Sequence, residues 1–62
     1  MKVQVGYQFT IRESGKTLLI TDRNKEKDPV FRVKYEDKSK DDLLLSESQI
    51  TRLVEFKSWI KI

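Results

Sequence analysis

Sixty-two residues make a single domain, 1–62, too short to bury more than about 60% of the surface that the unfolded chain exposes. The chain has no Cys and no His, which excludes a disulfide, a Cys/His zinc site and any nucleophile or near-neutral base of those types. The net charge of +3 is uneven: residues 1–35 carry eight cations against four acids, 36–47 two against five, and 48–62 three against one. A basic first half favours an anionic partner for whatever surface it forms.

The chain opens on "MKVQVGYQFTIR". Val3, Val5, Tyr7, Phe9 and Ile11 alternate with Lys2, Gln4, Gln8, Thr10 and Arg12, a period of two that predicts one long strand with a buried odd-numbered face. Gly6 interrupts the polar side and marks a bulge or a close backbone approach. This alternation differs from a secretory signal, which needs about 7–15 continuous apolar residues. "ESGK" at 13–16 predicts a turn, with Ile11 opposite Leu18 and Phe9 opposite Ile20, and Leu19 outward beside Thr10.

"DRNKEKDP" at 22–29 is a polar connection ended by Pro29, which lacks the N–H of a central ladder and so precedes a third strand at 30–36. On that strand Phe31, Val33 and Tyr35 share one side, Arg32 and Lys34 the other. "EDKSKDD" follows as a second polar loop, and "LLL" at 43–45 is a candidate short strand. In "LSESQI", Ser46 and Gln49 have capping-box spacing, and Leu45 and Ile50 that of a hydrophobic staple. Ile50, Leu53, Val54 and Ile60 form a helical stripe with Phe56 at its margin; Lys57 and Lys61 lie toward the negative helix end. Residues 58–62 either continue the helix or form a short terminal strand with Ile60 and Ile62 inward.

The order β-β-β-α predicts an α+β fold: a small three-stranded antiparallel sheet with a C-terminal helix on one face. The alternative is an SH3-like small β-barrel with a short helix. The first order is similar to three-strand-plus-helix DNA-binding domains such as the arm-site domains of phage integrases, and that resemblance implies a sheet laid against duplex DNA.

No Gly-rich phosphate loop, serine-based triad or metal-ligand spacing is visible, so neither an enzyme, a cofactor nor a metal is expected. The expected function is that of a small non-enzymatic regulator. It would be encoded by a phage or mobile element and act in the cytoplasm as adaptor or inhibitor of a host protein or nucleoprotein complex. Phe56, Trp59, Ile60 and Ile62 are the candidate protein anchor; the competing reading is that the tail folds back and buries Trp59 over an open edge of the core. The alternative partner is duplex DNA contacted by Arg12, Arg32 and Lys34 from an acid-free sheet face, with Lys16 in the first turn and Arg23, Lys25 and Lys27 in the long loop clamping the flanking backbone. No membrane partner is expected, since no apolar run approaches about 18–20 residues, and an exposed strand edge leaves a homodimer open.

Overall fold

The computed structural model describes residues 1–62. Five strands and one helix follow in the order β1 (Gln8–Ile11), β2 (Thr17–Arg23), β3 (Val30–Tyr35), β4 (Leu43–Ser46), α1 (Glu47–Glu55) and β5 (Trp59–Lys61). They form one curled antiparallel sheet, a half-barrel, ordered β4-β3-β2-β1-β5. The expected three-stranded sheet is therefore corrected: β4 covers the outer side of β3, and β5 returns after the helix to cover β1. The SH3-like alternative is compatible with this order. The three-strand-plus-helix order behind the integrase comparison is not that of this chain.

The long first strand is also corrected. Gly6, at φ 97°, donates its N–H to the Ile20 carbonyl, and the Tyr7 carbonyl accepts from Ile20 N–H. Two residues thus oppose one, a bulge that a glycine enters cheaply. It breaks the alternation, so Val3 is buried, Val5 is exposed, and regular pairing begins only at Gln8. Residues 1–6 instead run past the helix. Val3 N–H donates to Glu47 Oε2 at 2.9 Å and Thr51 Oγ1 donates to the Met1 carbonyl at 3.4 Å.

The β1–β2 register is two residues from the expected one: Phe9 faces Leu18, and Ile11 N–H donates to the Lys16 carbonyl. The loop closes over residues 12–15, with Gly15 at φ 76°. A shift of two preserves side-chain parity, so Phe9 and Leu18 still point inward. Leu19 still points outward, now opposite Gln8 and Lys34 rather than beside Thr10.

The helix start is as its sequence indicates. Ser46 Oγ accepts from Gln49 N–H and Gln49 Oε1 accepts from Ser46 N–H, a capping box worth about 1 kcal/mol. Asp28 Oδ1 accepts from Ser48 N–H as well, tying the β2–β3 loop to the first turn. The helix stops sooner than the apolar stripe suggests. Lys57 N–H donates to the Val54 carbonyl and Ser58 N–H to the Leu53 carbonyl, with Lys57 at φ 64°, the paired bonds of a Schellman end. Residues 58–62 thus leave the helix; Ile60 departs from the helical stripe, and Lys61 from the helix end, where Arg52 supplies the basic last turn.

The core comprises Val3, Phe9, Leu18, Ile20, Phe31, Val33, Ile50 and Trp59. Ile50 projects from α1, which joins the two edge strands and packs against both. Trp59 meets Phe9 with ring centroids 5.6 Å apart. In so small a domain this indole is a large share of the apolar burial.

Candidate functional site

The outer face of the sheet displays the side chains left over from the core, and its two ends differ. At the β3–β4 end, Arg32 lies 3.4 Å from Asp42 and 3.6 Å from Asp22, while Lys34 lies 4.0 Å from Asp42. The acid-free face expected from the sequence is therefore corrected. A bulge between Ile20 and Asp22 brings Asp22 opposite Arg32, and pairing of β4 places Asp42 on the same side as Leu44. Gln8 Nε2 also donates to Glu36 Oε1 at 2.6 Å on this face. Treating "LLL" as a paired strand and stepping two residues back from Leu44 was the available signal for Asp42.

Lys16 is engaged as well. Its ammonium is 2.7 Å from Asp37 Oδ2 and 3.0 Å from Ser39 Oγ. The hydrogen bonds from Lys16 and then Ser39 hold the Asp37 carboxyl well below the usual carboxylate range. Arg23 leaves the end of β2 with its guanidinium 5.7 Å from the Phe31 ring centroid and donates Nε–H to the Asn24 carbonyl. Lys25 and Lys27 are exposed in the β2–β3 loop.

The seven cations do not converge on one surface. Arg12 and Lys16 flank the β1–β2 turn, whereas Arg23, Lys25 and Lys27 lie at the opposite end of β2, roughly 20 Å away along a seven-residue strand. Three of the seven, Lys16, Arg32 and Lys34, form ion pairs within the chain.

At the β1–β5 end exposed apolar side chains stand among polar ones, and the cations are free of ion pairs. Arg12 N–H donates to the Ser58 carbonyl at 2.9 Å, Thr10 pairs Ile60, and Ile62 N–H donates to the Gln8 carbonyl at 3.0 Å. Ser58, Ile60 and Ile62 therefore share the outer side with Arg12, Thr10 and Gln8. Ile60 is 50% exposed, Ile62 64% and Phe56, the helix C-cap, 75%. Arg12, Glu13, Phe56, Lys57 and Ser58 line an open cleft of about 350 Å³ between the β1–β2 turn and the α1–β5 turn.

Trp59 does not belong to this anchor. It alternates with Ile60, points inward opposite Ile11, and is only 5% exposed. Its expected role on the surface is corrected to one in the core: the tail folds back as β5 and seals the edge of β1. Three of the four anchor residues remain on the surface. The inward Ile60 and Ile62 expected of a terminal strand are corrected as well: the αL turn at Lys57 sets the parity that turns Trp59 in and both isoleucines out.

The free strand edges are now those of β4 and β5, four and three residues long, shorter than the edge expected for strand-paired dimerisation. No helix is long and apolar enough to cross a membrane. No protein-family model matches the chain, and neither does any curated protein or solved structure in the comparisons made, so function rests on the geometry alone.

Proposed function

We propose that this chain is a small non-enzymatic binding protein, an adaptor or inhibitor, that grips a protein partner through the β1–β5 end of its outer face. The observation that carries this reading is the exposure of Phe56, Ile60 and Ile62 on one side of the turn and strand that follow the helix. Of the six large apolar side chains left exposed, these three lie together, whereas Leu44 stands on the far edge strand and Met1 and Val5 in the N-terminal segment. Such apolar groups, rimmed by polar ones, mark interaction surfaces. Trp59, immediately beneath, braces the strand that presents them. The partner class is a host protein or nucleoprotein complex in the cytoplasm, a reducing compartment with which a chain lacking Cys is compatible.

A photo-crosslinking residue placed at Ile60 tests this in the native cell. The expected product is an adduct with one protein that survives nuclease and ~300 mM salt and disappears with Phe56→Ser. Labelling that vanishes with nuclease would contradict it.

The duplex-DNA reading keeps one supporting observation: Lys25 and Lys27 are exposed at the tip of the β2–β3 loop and take part in no ion pair. It gains nothing from Arg32 and Lys34, whose charge is already opposed by Asp22 and Asp42. Phosphate binding through the loop would weaken steeply with salt, and Lys25→Glu with Lys27→Glu would abolish it.

A further inference from the structure

We propose that the cleft between the β1–β2 and α1–β5 turns receives an acidic segment of that partner, one carboxylate meeting Arg12 and Lys57 while an adjoining apolar side chain lies on Phe56 and Ile60. This inference rests on the reading of the β1–β5 end as a protein-binding face, and it names the chemistry that the face selects.

Charge complementarity argues for the acid. Arg12 and Lys57 line the same cleft, and neither is engaged in an ion pair, unlike the cations at the other end of the sheet. The bond from Arg12 N–H to the Ser58 carbonyl fixes the two turns side by side, so both cations are held at one place by backbone. Glu13 lines the cleft too and leaves it a net charge of one. That balance suits a single carboxylate beside an apolar group better than a run of phosphates.

The backbone at Lys57 points the same way. Its φ of 64° is the left-handed conformation where glycine or asparagine is the usual helix C′ residue. A lysine there accepts strain, as Lys38 does at φ 57°, and at this position it lines the cleft together with Phe56. A second copy of this chain is a poor occupant. Two chains of net charge +3 repel, and Glu36, Asp37 and Asp42 in its acidic segment are already engaged by Gln8, Lys16 and Arg32, leaving only scattered acids such as Glu26 and Glu55.

The test is an amide chemical-shift titration of the ¹⁵N-labelled full chain with three probes: a synthetic peptide alternating Glu and Leu, its counterpart with Lys for Glu, and a short DNA duplex. The expected result is saturable shifts at Arg12, Phe56, Lys57 and Ser58 with the acidic peptide alone. Affinity should fall at least about tenfold in Arg12→Gln/Lys57→Asn, whose unfolding midpoint does not drop. Asparagine suits the left-handed position, so loss of binding there is not loss of fold.

Equal binding of the lysine peptide at this cleft would overturn the acidic preference and leave the protein-binding face standing. Shifts confined to Lys25–Lys27, seen only with the duplex, would overturn both. Absence of any shift at the cleft with the acidic peptide would overturn the inference by itself.

Discussion

The two ends of the outer sheet face are built from similar residues and behave differently. At the β3–β4 end, Arg32 and Lys34 share Asp22 and Asp42. At the β1–β5 end, Arg12 and Lys57 stand unpaired beside Phe56, Ile60 and Ile62. Exposed ion pairs of the first kind contribute about 0–1 kcal/mol each, so their effect is mainly on the surface potential. They cancel the field that a phosphate would feel. The lesson is that a cation's sequence neighbours do not report its availability; the strand across the ladder does.

The largest expected effect separates Trp59 from Ile60. Trp59→Ala removes a core indole and should cost about 3–5 kcal/mol, enough to leave much of a domain of this size unfolded. Ile60→Ser, one residue on and pointing outward, should change stability by no more than about 0.5 kcal/mol while weakening partner binding. Urea unfolding of both variants reads the difference. Equal costs would mean that β5 does not present alternate faces as described.

Next in size is Lys57→Gly, which relieves a left-handed lysine and should raise stability by about 1 kcal/mol. The expected accompaniment is weaker binding, since an unpaired cation of the cleft is lost. A drop in the thermal midpoint would mean that the αL turn is not there. Asp42→Asn should cost less than about 1 kcal/mol and make the β3–β4 end more positive, read as a salt-sensitive gain in affinity for a DNA duplex. An unchanged duplex affinity would show that those charges do not set the potential of that end.

The smallest effect is that of pH. The Asp37 carboxyl is held low in the folded chain by Lys16 and Ser39 and returns to about 3.9 when unfolded. A lowered folded value means that its contribution is present above about pH 4 and is lost as pH falls below that. Because the group lies on the surface, the slope should be slight, and Asp37→Asn should flatten it in acid unfolding curves.

Much of this architecture is legible in the residues themselves. Ser46 and Gln49 mark the helix start because capping is local: the donor, acceptor and spacing all lie within four residues. Pro29 and the alternation of Phe31, Val33 and Tyr35 place β3 for the same reason. What is not legible depends on long-range pairing. Gly6 signals an irregularity, but not the turn, closed by Tyr7 N–H on the Gln4 carbonyl, that exposes Val5 while Val3 stays buried. The three-residue β5 has too little alternation to distinguish it from a last helical turn, and so the sequence turns Ile60 inward where the structure buries Trp59.

The same limit governs the site. Arg12 and Lys57 are 45 positions apart in the chain and meet one cleft because Arg12 pairs with Ser58. Asp22 reaches Arg32 from β2, and Asp42 from the loop just before β4. Composition gave the cations, and the ladder decides which of them are free.

The most direct measurement compares two double variants for association with the cellular partner at ~300 mM salt. The account predicts that Phe56→Ser/Ile60→Ser loses the partner, while Arg32→Gln/Lys34→Gln keeps it, both chains remaining folded. Retention by the first with loss by the second would contradict it.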